Sequence, residues 1–485
     1  MSDTRVRSGY SVALGLVRLA FFALLSTPPV SACDSEPLVI THVALIDATG
    51  APAKADWSVE VRAGRIVRVG PTAGSLPPGD ARVVDATGRF LIPGLWDMHV
   101  HTGQRDLYLP LYVANGVTGV RDMGGDLEEP TGYSSARYVQ LSLWRTAIER
   151  GFRVGPRMIL AGFLLDGAAW PGNVSATNPD EGRQAVDVLK RLGVDFIKVK
   201  SFLGRDTYFA IAAEARRQHM VLAGHVPDSV EAAEASDAGQ RSLEHLTGVA
   251  LGCSSARGEL MRERTEAFAA RDRARFARAE ARATETFDEG RAAALFAHFV
   301  RSETWQVPTL VERRRSALGS SSGDTDSASN ETRWSYLPAA LQERWRQEPG
   351  PSAPGDGRRL FAAEVALVRR MHEAGVPIMA GTDSANPSLV PGFSLHDELR
   401  LLVKAGFSPM EALQAATLEP ARYLGLETEL GTIEAGKRAD LVLLAADPLL
   451  DIANTQAIAA VIVNGRYLER PDLDAMLARV EVEAR

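Results

Sequence analysis

The stretch Phe90-Leu91-Ile92-Pro93-Gly94-Leu95-Trp96-Asp97-Met98-His99-Val100-His101 decides how the rest of the chain is read. An apolar run ends here in two histidines spaced i, i+2. On a β-strand, residues two apart point to one face, so both imidazoles look the same way. Two histidines on one face suit a single metal ion taken by two ligands. A lone histidine is more often a satisfied core residue. The pair, at the end of an apolar strand, moves the balance toward a metal.

Outward from this strand, short apolar runs alternate with helical patterns, which argues for βα units and a parallel sheet. Eight stretches read as strands: 96–101, 117–123, 157–164, 196–201, 221–226, 242–246, 304–311 and 377–383. Helical patterns such as 206–218 and 364–374 lie between them. The expected fold class is α/β, a (β/α)8 TIM barrel over residues 94–429 with catalytic groups at the strand C-terminal ends. Short strand patterns also stand at both chain ends, at 38–46, 58–62, 66–69, 83–85 and 90–92, then at 439–444 and 460–468. Asn464-Gly465 in the last of these is a two-residue hairpin signal. Neither set of short strands holds a core alone. Residues 36–93 and 430–485 are therefore expected to build one small β-sandwich domain from both chain ends.

Two connections are oversized. Residues 254–301 are rich in Ala, Arg and Glu and read as helical. Residues 316–357 are rich in Ser, Gly, Asp and Pro, with a helical island near 341–346. Charge runs are usually solvated surface. Both insertions, however, follow strands and leave from the expected catalytic face, which also suits a lid or binding loop.

The 485 residues are 45% hydrophobic and 24% charged, which excludes a disordered chain, a collagen-like chain and a coiled-coil rod. The formal charge is −7 and no long basic patch occurs, so nucleic acid is not expected as a partner. Residues 1–33 read as an export signal: Arg5 and Arg7, an apolar stretch over 12–25, then Val30-Ser31-Ala32-Cys33. The apolar stretch falls short of the roughly 20 residues of a membrane span, and Arg18 interrupts it. The expected location is the bacterial periplasm or cell envelope. Val-Ser-Ala-Cys resembles a lipobox, which would make Cys33 a lipid anchor to the membrane. Cleavage after Ala32 without lipid is the alternative. The only other cysteine, Cys253, is expected to be a buried thiol.

Four more ionisable residues repeat the strand-end position. His225 closes 221–225, His245 closes 242–245 and Asp383 closes 377–383. Lys198 lies inside Phe196-Ile197-Lys198-Val199-Lys200, where an unpaired lysine within a barrel is costly. Lys200 shares its face. Each residue alone has a bland explanation. All six together, on strands one, four, five, six and eight, point to a metal centre.

In this order the residues resemble the metal-dependent amidohydrolase superfamily: His-x-His on strand one, Lys on four, His on five, His on six and Asp on eight. The segment 431–442, Gly-Thr-Ile-Glu-Ala-Gly-Lys-Arg-Ala-Asp-Leu-Val, resembles the family's return to the β-domain. Asp166-Gly167, Trp170-Pro171-Gly172 and Ala223-Gly224-His225-Val226-Pro227 look like the imidazolonepropionase-like branch, which includes Xaa-Pro dipeptidases. The resemblance implies two divalent metal ions, usually zinc, with manganese or iron left open by the residue types. His99, His101 and Asp383 would hold one ion, and His225 and His245 the other. Lys198 would bridge them as a carbamate (a carboxylated lysine), with Lys200 as its rival. The implied reaction is hydrolysis of a carbon–nitrogen amide bond by a hydroxide bridging the metals, with Asp383 moving the proton. The implied substrate is a small molecule: a dipeptide, an N-acyl amino acid or a cyclic amide. Arg205, Tyr208 and Trp170 are the candidate substrate contacts. Hydrolysis of an ester or lactone by the same centre, or an exported metal- or solute-binding protein without turnover, are the alternatives. A homo-oligomer is compatible with all three.

Overall fold

The computed structural model describes residues 36–74, 77–125, 135–168, 173–270, 272–319, 332–347 and 354–485. The export segment, Cys33 and Trp170 lie outside the described residues. Among those described, no helix is long and apolar enough to cross a membrane.

The chain begins with strands β1 (Leu38–Leu45), β2 (Lys54–Arg62), β3 (Arg65–Pro71), β4 (Arg82–Asp85) and β5 (Phe90–Pro93). β1 pairs with β2 on one side; on the other, its first half pairs with β4 and its second half with β5. From the far end of the chain, β15 (Leu441–Leu444), β16 (Ile458–Val463) and β17 (Arg466–Glu469) extend this sheet outward from β5. The Asn464-Gly465 hairpin is present, with Val463 opposite Arg466. All eight strands form one branched sheet, so the halves expected of a sandwich are continuous through β1. Ile40, Val59, Ile66, Leu91, Leu441 and Ile462 share one apolar cluster. Because that cluster draws on both chain ends, neither end is stable alone.

The barrel strands follow: β6 (Leu95–Val100), β7 (Val117–Asp122), β8 (Arg157–Leu160), β9 (Leu164–Asp166), β10 (Asn173–Ser175), β11 (Phe196–Val199), β12 (Val221–Gly224), β13 (Gln240–Glu244) and β14 (Trp305–Val307). β6, β7 and β8 pair in parallel, as do β11 to β14. Every residue of β6 and β7 is buried, as parallel strands covered on both faces should be. β9 pairs in parallel with β11, Lys198 opposite Leu164, and further backbone hydrogen bonds complete the ring. Asp195 N donates to Leu160 O at 2.9 Å, joining β8 to the start of β11. The eighth staves are residues 377–383: Gln306 N donates to Pro377 O, Met379 N to Gln306 O, Met98 N to Ala380 O and Asp383 N to His99 O.

Two staves depart from the sequence reading. The third, expected unbroken over 157–164, splits into β8 and β9 at Gly162, whose φ of +78° takes it out of the extended region. The eighth is held by isolated bridges at Ile378 and Ser384, not by a regular ladder. The connecting helices follow ordinary rules. Pro179–Leu192, for example, has Asn178 accepting from Asp180 N and Glu181 N at its start and Gly193 at φ +77° at its end.

The expected lids also divide differently. In 254–301, helices Arg257–Ala269 and Arg273–Glu285 place Arg264 and Glu280 on the cavity at the barrel mouth. The described part of 316–357 turns elsewhere: Leu337, Leu341 and Trp345 enter the main core, and Arg333 pairs with Asp397 at 2.6 Å. Its apolar positions are buried against the helix Phe393–Lys404, so these residues act as packing and not as a cover.

Gly224, at the end of β12, has φ +131°, and a Cβ there would lie 2.2 Å from Val199 O and 3.0 Å from the Lys198 side chain. Gly224→Ala is therefore expected to cost more than about 1 kcal/mol and to displace Lys198. Chemical denaturation gives the first effect; a wild-type midpoint would contradict it.

Candidate metal centre

The C-terminal ends of the staves bring the six sequence-selected residues together. His99, His101, Lys198, His225, His245 and Asp383 line one cavity of about 270 Å³. The His99 ring lies 5.6 Å from that of His101 and 4.4 Å from that of His245, and the His225 and His245 rings are 5.0 Å apart. His245 (φ +59°) and Asp383 (φ +62°) have left-handed backbones, rare outside glycine and a mark of sites held by their surroundings.

Each imidazole is oriented from behind through Nδ1. His99 Nδ1 lies 2.7 Å from Glu244 Oε2, and His101 Nδ1 2.5 Å from Gly124 O. Those partners only accept, so the protons sit on Nδ1 and both Nε2 atoms present lone pairs. His225 Nδ1 is 2.8 Å from Ser201 Oγ and His245 Nδ1 2.7 Å from Thr309 Oγ1. The four rings thus turn Nε2 inward, in the arrangement by which outer partners set metal-binding histidines.

The centre fits a cation. Asp383 Oδ1 lies 3.3 Å from His99 Nε2 and 3.1 Å from His101 Nε2. With the protons on Nδ1, lone pairs face a carboxylate oxygen at contact distance, which is repulsive until a positive charge sits among them. His99 Nε2, Lys198 Nζ and Asp383 Oδ1 are all buried without a hydrogen-bond partner. Ligand atoms of His99, His101 and Asp383 lie within 4.8 Å of one another, and so do those of His245, Glu312 and Asp383.

The electrostatics agree with the geometry. Burial, and then the nearby Lys198 charge, hold His99 and His225 well below the ordinary imidazole range; burial does the same to His245. Burial also pulls the Lys198 ammonium down to about 7, against the opposing pull of Glu244. For Asp383, burial pushes upward, and it is positive charge placed with His245, His99 and His101 that holds the carboxyl well below its usual value; a bound cation supplies that charge while leaving the imidazoles neutral. Neutral imidazoles and an ionised carboxylate are the states in which these groups bind metal. Lys198 is among the leading influences on His99, His225 and His245 alike, which places it centrally among the imidazoles.

The sequence did not single out the groups behind the ligands. Arg121, wholly buried, donates to Met98 O, Ser242 Oγ and Glu244 Oε1, so Glu244 links Arg121 to His99. Asp97 accepts from Thr382 N at 3.0 Å, Thr382 Oγ1 at 2.6 Å and His99 N at 3.2 Å, tying the first stave to the eighth. Burial pushes its carboxyl up to about 7. Glu312, Arg313, Arg264 and Glu280 also line the cavity. The one available signal was Glu244, a carboxylate directly beside His245 in an otherwise buried strand.

Two of the expected substrate contacts are elsewhere. Arg205 is half-exposed and makes a two-point pair with Glu234, at 2.8 and 2.5 Å. Tyr208 is buried in the main core and donates to Gln240 Oε1 at 2.8 Å. Both belong to helix Arg205–Arg217, which packs against the outside of the barrel, so neither reaches the cavity. Cys253 is a buried thiol, pushed up to about 12 by burial.

Comparison with known proteins agrees with this geometry. An imidazolonepropionase from Symbiobacterium thermophilum is 34% identical over 119 residues, 24% of this chain but only 28% of that relative. An ochratoxinase from Aspergillus niger is 24% identical over 461 residues, covering 82% of this chain and 80% of that one. A crystal structure of a Xaa-Pro dipeptidase with bound methionine superposes with a TM-score of 0.61 at 22% identity, over 89% of this chain and all of that one. The amidohydrolase family model matches residues 90–468, from β5 through every stave and back into the β-domain, and the chain belongs to that family.

Proposed function

We propose that the protein is a metal-dependent hydrolase of amide bonds in small molecules: a dipeptide, an N-acyl amino acid or a cyclic amide. The observation that carries this reading is the set of four inward imidazoles around an ionised carboxylate, at the mouth of a barrel. His99, His101 and Asp383 would hold one divalent cation, zinc being the first candidate, and His225 and His245 a second. Lys198 stands between them, where its carbamate would give the pair a shared anionic oxygen. Divalent cations bound there supply Lewis acidity toward a carbonyl and lower the pKa of water.

The chain's own residues do the rest. The Asp383 carboxylate faces the cavity and is ionised, so it can accept a proton from attacking water and pass it to the leaving amine. Glu244 and Arg121 keep His99 in one tautomer throughout. Arg264 and Glu280 line the cavity from the inserted helices, and its volume of about 270 Å³ suits small substrates. The Xaa-Pro dipeptidase is named for a dipeptide, a small substrate joined by an amide bond, which supports the same substrate class here. A carboxylate placed to move a proton also favours turnover over simple metal binding.

Two measurements test this reading. Purified protein is expected to carry divalent metal by elemental analysis, with His99→Ala and His225→Ala each losing metal and activity together. Full stoichiometry in His225→Ala would remove the second cation. Asp383→Asn keeps the shape but cannot take the proton, so turnover of a responsive dipeptide or acyl amino acid should fall about 10²–10⁴-fold. Near-wild-type turnover would reduce Asp383 to a ligand alone.

A further inference from the structure

Glu312 falls outside the ligand set that the strand order implies. It sits in the first turn of helix Leu310–Leu318, directly after β14. Its side chain is buried and lines the same cavity as Lys198, His225 and His245. One of its carboxylate oxygens, a His245 ring nitrogen and an Asp383 oxygen lie within 4.8 Å of one another. Ligand atoms at about 2.0–2.2 Å on one tetrahedral ion stand about 3.4 Å apart, so an inward side-chain movement on the order of 1 Å would bring all three onto one cation.

The backbone around Glu312 is fixed by the site it faces. Thr309, at φ +47°, places its hydroxyl 2.7 Å from His245 Nδ1. The buried Glu398 then accepts from Leu310 N at 2.9 Å and Val311 N at 2.7 Å. These bonds pin the helix start and with it the approach of Glu312. Within the helix, Ser316 Oγ and Arg315 donate to Glu312 Oε1, which sets the carboxylate's rotamer. The ligand-poor side of the centre is here: His225 and His245 are both neutral donors, and Asp383 is already shared with His99 and His101. On this side Asp383 turns its other oxygen, Oδ2, toward His245 Nε2 at 3.9 Å, while Oδ1 faces His99 and His101.

We propose that Glu312 is a carboxylate ligand of the second cation position, beside His225 and His245. The assignment rests on the two-cation reading above. It gives the second ion a fixed negative charge from the seventh stave, so that this position does not depend on Lys198 alone for an anionic oxygen. The rival role is a substrate contact, in which Glu312 would face an ammonium group in the cavity.

The test uses the full-length protein, stripped by chelation and titrated with zinc, then with cobalt, in equilibrium dialysis with elemental analysis. Wild type is expected to take two equivalents. Glu312→Gln should keep the first and bind the second at least about 10-fold more weakly, the scale on which partners of metal sites act. The visible spectrum of the second cobalt equivalent should change with it, and Glu312→Asp should recover part of the affinity. Thermal unfolding of the stripped variants checks that the fold is intact. Wild-type affinity for both equivalents and an unchanged cobalt spectrum in Glu312→Gln would overturn the assignment. So would intact metal binding with a raised KM only for substrates bearing a free amine. A wild type that takes only one equivalent would instead sink the two-cation reading and the Glu312 role with it.

Discussion

The structure is organised around one unfavourable arrangement. At the mouth of the barrel, the Nε2 atoms of two imidazoles, whose Nδ1 atoms face accepting oxygens, meet a carboxylate oxygen at 3.1–3.3 Å. Such a cluster persists only if the surrounding protein holds each group in place and a cation compensates the charge. The features around the centre serve the first need. Glu244 and the Gly124 carbonyl fix two tautomers, Ser201 and Thr309 orient two more rings, and Arg121 holds Glu244 in place. Arg121 and Glu244 form a buried pair, costly to desolvate and more costly to break, since losing one partner strands the other charge. A buried pair of this kind is weak evidence for stability. Here its place behind His99 gives it a reason.

The barrel carries the site, and the β-domain carries the barrel's first strand into position. β5 runs directly into β6, and Gly94 N donates to Asp440 O at 2.7 Å, so the strand with His99 and His101 starts from the composite sheet. Asp440 also receives Arg157 Nε at 2.5 Å and Asn464 N at 3.0 Å. Asp440 thus ties the third stave and the last hairpin through its carboxylate and the entry to the first stave through its backbone carbonyl. Placing both chain ends in one sheet fixes the barrel's register from outside the ring, where the irregular eighth stave gives little help.

What the sequence revealed followed from local periodicity. The i, i+2 histidines and the strand-end His225, His245 and Asp383 are legible because side-chain direction on a strand has period two and strand ends share one rim. Residues whose roles depend on juxtaposition across the ring stayed hidden. Arg121 and Glu244 meet from staves two and six, and nothing in either local stretch records that meeting. The same limit explains the misplaced substrate contacts. Arg205 and Tyr208 stand near strand four in sequence, but the first turn of an outer helix carries them to Glu234 and Gln240. It also explains the exchanged insertions. The Ser- and Gly-rich segment looked loop-like, yet Leu341 and Trp345 anchor it in the core, while the charged helices that looked like surface reach the cavity through Arg264 and Glu280.

Those two residues bear on what the cavity selects. Arg264 pairs with Asp228 at 2.8 Å and lies 3.8 Å from Glu280, and Arg313 opposite pairs with Glu364. The outer wall therefore holds opposite charges close together, already compensated by the protein's own partners. A wall of this kind recognises dipolar ligands better than strongly charged ones, because a net charge must compete with pairs already formed. Lys200 also lines the cavity. Chemistry fixed at the staves and selection carried by inserted helices is the division that lets a barrel keep its reaction while its substrate changes.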